Sequence, residues 1–359
     1  MWPTQGSGSS AAPASPWSER GPRSRLFAIL GIAALLVGAS IATWLSIRGG
    51  LPSTPALYGS ARPGPAVLWI WDGTAYAERT VPATGPSSND ADMAYDRTRG
   101  VIVLWDHGCT SLVMGFQGGC AAHVNRTWTW DGSSWTAHQA RSSPTVSGPG
   151  AMLFDSRLGQ VLYINGAGQA WAWGGTDWAA LALPGGPGIS VPGSGLQEST
   201  FAVGYDEGRD ALVYVLPAAT WLWDGSGWKE VPGGIEPGAA RADAHAVYDR
   251  VHRQLVYVGR DATWTWDGSR WQSHIQPEIS AGTAAYDEAS AHVLLVQQDS
   301  SACDQSACPS TTWAWDSISW GAVPVARGPL LPLTRSGEFG MPVAFDEARG
   351  VMVLFASAS

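Results

Sequence analysis

Short runs of alternating apolar and polar residues fill most of the chain, and two patterns recur. The first is an aromatic hairpin, typified by TWTWDGSSWT at 127–136, in which two tryptophans two residues apart precede an Asp-Gly turn and a third aromatic residue. Because strand side chains alternate between the faces of a sheet, the two tryptophans share one face. The pattern occurs six times, beginning at Trp69, Trp128, Trp171, Trp221, Trp264 and Trp313.

The second pattern is an apolar strand ending in an aromatic residue and Asp, then a short turn and a β-branched strand, as in DMAYDRTRGVIVLW from Asp92. Its aspartates lie about 50 residues apart, at Asp96, Asp155, Asp206, Asp249, Asp287 and Asp346. Four strands in a repeat of this length are typical of a propeller blade. We therefore predict an all-β domain over 66–359, with strands A and B of each blade in the second pattern and strands C and D in the first.

The order of the two patterns predicts how the ring closes. The domain opens with a C–D hairpin at 67–80 and ends with an A–B pair at 341–355, and neither is a complete blade. An open ring would expose unpaired strand edges, so we expect these two halves to form one sheet. The prediction is a six-bladed β-propeller whose last blade is closed by the N-terminal hairpin, with two strands from each end.

The residues YDxxRGxxVL followed by TWxWDGxxW resemble the bacterial kelch-repeat propellers related to the galactose oxidase central domain. The resemblance covers about residues 66–356 and implies a kelch-like blade. The chain departs from the family where kelch repeats usually end the second strand with Gly-Gly. The corresponding segments here are WDHG, INGAG, VLPA, VGRD, VQQD and FASA.

The segment before the domain has a different character. Residues 1–24 are rich in Ser, Pro, Gly and Ala and predict a disordered cytoplasmic tail. Residues 25–48 include 22 uncharged residues, enough for one transmembrane helix, which needs about 20. Arginines are concentrated before this helix, which places the propeller outside the cytoplasm. Residues 49–65 form a Pro/Gly linker.

Charge limits the choice of partner. The net charge of −9 becomes more negative when the arginine-containing N-terminal segment is set aside, and no Lys/Arg cluster occurs in 66–359. A nucleic-acid partner is therefore not expected. We expect one membrane contact, through the N-terminal helix, and a protein or glycan ligand.

The repeated motif residues are expected to be structural, because chemistry seldom needs a group repeated in every blade. The aspartates cap turns by accepting backbone N–H bonds, and the tryptophans fill the gaps between blades. These residues are Trp71, Asp72, Trp130, Asp131, Trp223, Asp224, Trp266, Asp267, Trp315 and Asp316.

The four cysteines form two local pairs inside insertions. In an oxidising compartment, disulfides Cys109–Cys120 and Cys303–Cys308 are expected, with zinc binding by the four thiolates as the alternative. The seven histidines lack metal-ligand spacing, so we predict no metal and no cofactor. His107 and His123 bracket one insertion, and we interpret them as solvated loop residues or as a pair that meets in space.

The connections between strands differ at the two ends of the ring. The A–B and C–D turns share one end, which we call the tight-turn face. The B–C and D–A connections share the other end, the long-loop face, where length variation collects and binding residues are usually found. The expected contacts on the long-loop face are Phe116, Gln117, His123, Asp304, Gln305, Glu338 and Phe339.

Taken together, the sequence favours a membrane-anchored extracytoplasmic binding module without catalytic residues. The alternative is an extracellular carbohydrate-active enzyme, a hydrolase, lyase or oxidase, with its site at the axial mouth of the propeller. A structural spacer or sensor is a third reading. Converging acids and arginines in an axial pocket would favour the enzyme.

Overall fold

The computed structural model describes residues 66–87, 90–112, 120–147, 150–187, 202–216, 219–235, 246–259, 262–276, 279, 282–299, 301–303, 307–332 and 341–357. The predicted tail, transmembrane helix and linker over 1–65 lie outside the described residues. Among the described residues, no helix is long and apolar enough to cross a membrane.

The described chain consists of strands joined by turns. It begins with β1 (Val67–Trp71) and β2 (Tyr76–Thr80). Blade 1 contains β3 (Ala91–Asp96), β4 (Val101–Asp106), the inserted hairpin β5 (Cys109–Leu112) and β6 (Cys120–His123), then β7 (Arg126–Trp130) and β8 (Trp135–His138). Blade 2 contains β9 (Ala151–Asp155), β10 (Gln160–Ile164), β11 (Ala170–Trp173) and β12 (Trp178–Leu181).

The same order continues through the later blades. Blade 3 contains β13 (Ala202–Asp206), β14 (Ala211–Val215), β15 (Ala219–Trp223) and β16 (Trp228–Pro232). Blade 4 contains β17 (Val247–Asp249), β18 (Gln254–Val258), β19 (Ala262–Trp266) and β20 (Trp271–Ile275). Blade 5 contains β21 (Gly282–Asp287), β22 (His292–Gln298), the short β23 (Ala307–Cys308), then β24 (Ser310–Trp315) and β25 (Trp320–Ala322). The chain ends with β26 (Leu331–Pro332), β27 (Val343–Asp346) and β28 (Val351–Ala356).

Six antiparallel four-stranded sheets are present in the described residues, and one of them joins the two ends of the domain. Its order is β2-β1-β28-β27, and β1 pairs with β28 along its whole length, from Val67 opposite Ala356 to Trp71 opposite Met352. The first strand of each blade contacts the first strand of the next blade all the way round, from β3 through β27 and back to β3. The fold is a six-bladed β-propeller with the first strands innermost.

Burial follows the position of each strand within its blade. The second strands are apolar on both faces, and all five residues of β14 (ALVYV) are buried, because a blade packs against a neighbour on each side. The fourth strands form the outer edge and carry polar residues; β2 (YAERT) has no fully buried residue. The core therefore consists of layers between blades.

The turn of each aromatic hairpin is fixed by its aspartate. Asp131 Oδ1 accepts the backbone N–H groups of Ser133 and Ser134, each at 2.8 Å, and Gly132 supplies a φ of 91°. Trp130 and Trp135 face each other across the hairpin with ring centroids 5.3 Å apart. The same backbone capping occurs in the other hairpins that carry this aspartate, at Asp72, Asp224, Asp267 and Asp316.

In four of the six blades, a hydrogen bond to a buried threonine joins the aromatic hairpin to the blade before it. The indole Nε1 of Trp178 donates to Thr127 Oγ1 in blade 1 at 2.8 Å. The threonine stands directly before the first tryptophan of the motif, which explains why the motif reads TW in several copies. Equivalent bonds join Trp271 to Thr220, Trp320 to Thr263 and Tyr76 to Thr312.

The two exceptions to this bond follow from the sequence. Blade 2 has Ala170 at the threonine position, and Trp228 donates instead to the carbonyl of Leu183 at 3.3 Å. The closing blade has Leu68 there, and the indole N–H of Trp135 is buried without a partner within the described structure. A hydroxyl at this position therefore decides whether the bond forms.

A second repeated contact lies on the tight-turn face. Arg349, in the A–B turn of the closing blade, pairs with Asp346 at 2.8 Å and covers Gly132 in the hairpin turn of blade 1, where a Cβ would overlap the guanidinium. Arg99, Arg157 and Arg209 cover Gly175, Gly225 and Gly268 in the same way. The glycine thus serves both the positive φ of the turn and the space that the arginine needs.

The contact is different in the two blades where another residue replaces the arginine. Blade 4 has His252 at the arginine position, and the facing turn of blade 5 has Ser317 in place of glycine, with a φ of 79°. Blade 5 has Ser290 there, and a Cβ on Gly73 in the facing turn would meet no atom within 4 Å. The arginine and the crowded glycine therefore occur together.

We predict that Thr127→Val destabilises the protein by about 1–3 kcal/mol, because the buried indole N–H of Trp178 loses its acceptor while side-chain shape is kept. Urea unfolding of the full chain, followed by tryptophan fluorescence, measures the change. Thr136→Val, at an exposed site in β8, is the matched control and should stay within about 0.5 kcal/mol of the parent. Equal effects of the two substitutions would contradict a stabilising role for the bond.

We also predict that Gly132→Ala is more destabilising than Gly73→Ala. Both glycines have φ values above 90°, so both alanines carry a backbone strain of about 1–2 kcal/mol. Only the alanine at position 132 displaces Arg349 from its pair with Asp346, which should add about 1 kcal/mol. The same unfolding assay compares them, and a larger effect at Gly73 would show that the arginine contact does not stabilise the ring.

Candidate functional site

Charged side chains converge on the propeller axis at the tight-turn face. The residue directly after the aspartate of the A strand is ionisable in five of the six described blades, and these five side chains line this mouth. The turn is already closed by the aspartate, which accepts backbone bonds such as Arg99 N–H to Asp96 at 3.1 Å. The following side chain is therefore free to reach the axis. These residues are Arg97, Glu207, Arg250, Glu288 and Glu347, with Ser156 at the sixth position.

The five charged residues form one ion-pair network, which we call the axial cluster. Arg97 donates to Glu207 at 2.7 Å and to Glu347 at 2.5 Å. Arg250 donates to Glu207 at 2.8 Å, to Glu347 at 2.9 Å and also to Glu288. Each carboxylate is contacted by at least one guanidinium, and the network connects blades 1, 3, 4 and 5 with the closing blade, which is blade 6.

The axial cluster lies at the mouth of a cavity of about 160 Å³ that residues from all six inner strands line. Arg97 lies 5.5 Å from the ring centroid of Phe154, and Arg250 lies 5.9 Å from that of Tyr286. The lining also includes small residues such as Ala246 and Ala284. The cavity is thus charged and partly aromatic at the mouth and apolar below it.

The aromatic residues of the inner strands also hold the turns in place. Tyr95 OH accepts the backbone N–H of Ala348 from the closing blade at 3.1 Å, and Tyr205 OH contacts the backbone N–H of Arg157 at 3.3 Å. Burial raises the pKa of both phenols, so they stay neutral at physiological pH. Their hydroxyl groups serve the contact between blades.

Burial raises the pKa of the Glu207 carboxyl, and the nearby Glu347 raises it further, while Arg97 opposes both. The two arginines keep the carboxylates in ion pairs. A general acid and a general base need two carboxyl groups whose environments push their pKa values well apart and leave them facing the substrate. Here Arg97 and Arg250 each contact both Glu207 and Glu347, so the cluster is suited to charge recognition and to holding blades together.

A second polar group lies on the long-loop face of blade 1. The Nε2 atom of His107 is 2.9 Å from Asp92 Oδ2, and its ring lies against Trp105 with centroids 4.6 Å apart. Trp105 Nε1 donates to Asn125 Oδ1 at 2.9 Å. The exposed His123 donates from Nδ1 to the carbonyl of His107 at 2.8 Å. The two histidines therefore meet, through a ring and a backbone carbonyl.

Burial lowers the pKa of His107, but the hydrogen bond and charge of Asp92, with the charges of Asp90 and Asp106, outweigh it and raise the pKa above 6.5. His107 is thus a paired, largely buried histidine, and its interpretation as a solvated loop residue is wrong. His138 and His274 are also partly buried, each against a tryptophan of the next blade, and burial lowers the pKa of both.

Of the predicted contact residues, the structure describes His123, which lies at the end of β6 on the long-loop face. Phe116, Gln117, Asp304, Gln305, Glu338 and Phe339 lie outside the described residues. The disulfide Cys303–Cys308 is present, which confirms that prediction. Cys109 and Cys120 lie on β5 and β6, but their side chains are outside the described part of the structure.

No protein-family model matches this chain, and no curated protein is similar to it. Among solved structures, a mutant of the Aleuria aurantia lectin in complex with alpha-methyl-L-fucoside is 15% identical over 74% of this chain and 87% of the lectin, with a TM-score of 0.44. The GH74 xyloglucanase from Xanthomonas campestris is 12% identical over 73% of this chain and 44% of that one, with a TM-score of 0.44. A chain of the nidogen/laminin complex is 10% identical over 70% and 89%, with a TM-score of 0.41.

These likenesses are to proteins of different activities and extend to the fold alone. The kelch relationship therefore stays a prediction. The axial cluster was missed by the sequence reasoning, although a signal was present: the position after the repeated aspartate is charged in Arg97, Glu207, Arg250, Glu288 and Glu347. Both signs of charge occur there, and aligning the six copies would have revealed them.

We predict that Asp92→Asn lowers the pKa of His107, because the negative charge of Asp92 no longer offsets the effect of burial. A histidine whose folded-state pKa is raised stabilises the fold below pH 6.5, and this stabilisation is lost as pH rises through the folded-state pKa. The stability difference between the parent and Asp92→Asn should therefore be larger near pH 6 than near pH 8. NMR titration of the His107 ring and urea unfolding at both pH values measure this. Glu78→Gln, on exposed β2, is the control for the charge change, and an unchanged His107 pKa in Asp92→Asn would refute the pairing.

Proposed function

We propose that this chain is a membrane-anchored, extracytoplasmic, kelch-like propeller that binds a protein or glycan through its long-loop face. The observation that carries the proposal is the regular structure added to the loops there. Blade 1 carries the β5–β6 hairpin between its B and C strands. In blade 5, β23 of the B–C loop pairs with β26 of the D–A loop.

The added structure is held firmly to the ring. The disulfide Cys303–Cys308 ties the start of the blade 5 loop to β23, and Cys308 is fully buried. His107 and His123 connect the base of the blade 1 hairpin to Asp92. Loops that are ordered in advance lose less conformational entropy on binding, which favours affinity. The opposite face carries only short turns in the described blades.

The disulfide also supports the proposed location. Disulfides persist in oxidising compartments and are rare in the cytosol. The uncharged stretch within 25–48 is long enough for a membrane helix, and the arginines before it favour a cytoplasmic N-terminus. Both features fit a propeller displayed outside the membrane.

A carbohydrate-active enzyme with its site at the axial mouth is the second candidate, and the convergence of three glutamates and two arginines favours it. Two features weigh against it. The arginines engage each carboxylate, and the cavity of about 160 Å³ is smaller than most ligand pockets, which measure roughly 300–1,000 Å³. Binding at the long-loop face therefore accounts for more of the structure.

We predict that alanine substitutions on the long-loop face weaken ligand binding by at least about tenfold, as expected when contacts near the centre of an interface are lost. The variants are Phe116→Ala with Gln117→Ala, and Asp304→Ala with Gln305→Ala, in the full chain displayed on intact cells. Binding to a glycan array and photo-crosslinking to added surface proteins are measured in parallel.

The matched control is Val251→Ala with Ile318→Ala, two exposed apolar residues on the tight-turn face. It should bind as the parent does. Loss of binding in this control, together with retained binding in both loop variants, would place the ligand on the tight-turn face and reject the proposal. Intact cells also test the orientation, because neither probe would reach a propeller on the cytoplasmic side of the membrane.

A further inference from the structure

We infer that the axial cluster is a second binding site, on the face opposite the long loops, and that it takes a primary ammonium group, such as a lysine side chain of a polypeptide. Nothing in the turns themselves requires charge at these positions. The turn of blade 2 has Ser156 at the equivalent position and keeps its aspartate bond, from Leu158 N–H to Asp155 at 2.9 Å.

The cluster is not balanced in charge. Three carboxylates face two guanidinium groups, which leaves one negative charge in excess. A purely structural plug would be expected to pair its charges completely, since an uncompensated charge away from bulk water is costly. A cationic ligand would remove this imbalance.

The acceptor atoms that remain define what the site can hold. Glu207 uses both oxygens in bonds to arginine, whereas Glu288 and Glu347 each use only Oε1. Within the described structure, Oε2 of Glu288 and Oε2 of Glu347 have no hydrogen-bond partner. These atoms come from blades 5 and 6, so they offer two charged acceptors to one donor group.

A primary ammonium group fits these acceptors better than a metal ion. It has three N–H donors, which suits two carboxylate oxygens and one further acceptor or water. The described residues contain no group of three or more ligating side chains that could hold a metal ion.

The apolar cavity lies below the cluster, and its position limits how a ligand can enter. Small side chains such as Ala246, Ala284 and Ala344 leave a volume of about 160 Å³. A lysine side chain that enters from the tight-turn face presents its ammonium group to the cluster first, so its methylene groups stay in the mouth and do not fill this cavity. The charged side chains of the cluster are between 23% and 34% exposed, so the group can enter without opening the ring.

The test measures binding of a capped Gly-Lys-Gly peptide to the full chain by saturation-transfer NMR, with butylamine as a second probe. The same peptide with norleucine, which lacks the ammonium group but keeps the methylene chain, is the ligand control. The lysine peptide should bind and the norleucine peptide should not, and raising the salt concentration should weaken binding. If butylamine binds as well as the peptide, the site takes free amines; if it binds more weakly, the peptide backbone contributes.

Glu288→Gln and Glu347→Gln should each weaken lysine-peptide binding by about tenfold, because each removes a charge-assisted bond and the excess charge. Glu78→Gln, which changes the net charge equally on exposed β2, should bind as the parent does. Arg97→Gln should strengthen binding by a few-fold, since it raises the excess negative charge and leaves Oε1 of Glu207 and Oε1 of Glu347 bonded to Arg250 alone.

The opposite response to Arg97→Gln separates a binding site from a structural plug. A plug predicts lower unfolding midpoints for all three cluster variants with no change in peptide binding. Equal binding of the lysine and norleucine peptides, or equal effects of Glu288→Gln and Glu78→Gln, would overturn the inference. Unfolding midpoints recorded for every variant show that the comparison is made on folded protein.

Discussion

Each blade can bury its two faces only against its neighbours, so every sheet depends on the closure of the ring. The strand β28 is fully buried over most of its length because β1, from the other end of the domain, completes its sheet. Two repeated contacts then join successive blades: an indole N–H to a buried threonine, and an arginine over a glycine turn. Both contacts join each blade to the next, so the stability of one blade depends on its neighbours.

The repeated contacts explain most of the motif without any reference to a ligand. The threonine before the tryptophan pair accepts a bond, the aspartate caps the turn and the glycine makes space for an arginine of the preceding blade. Where the threonine is replaced, the indole of the next blade changes its partner. With Ala170 at this position, that indole donates to a backbone carbonyl, and with Leu68 it has no acceptor within the described residues. Since structural requirements fix these positions, residues that vary between copies carry the individual properties of the protein.

The variable positions fall on the two faces in different ways. On the long-loop face, they extend connections into the β5–β6 hairpin and the β23–β26 pair, which a disulfide secures. On the tight-turn face, the variation lies in single side chains of short turns, and five of the residues that follow the A-strand aspartates meet at the axis. One face therefore offers a broad, shaped surface, and the other offers a narrow, charged mouth.

The sequence by itself determined the class of fold, the blade number, the strand order, the turn chemistry and one disulfide, because each follows from a local pattern repeated many times. It also located the long loops. Tertiary structure alone decided which charges meet at the axis and that His107 pairs with Asp92. Arg97 and Glu347 are 250 residues apart, and residues so distant become neighbours only when the ring has closed.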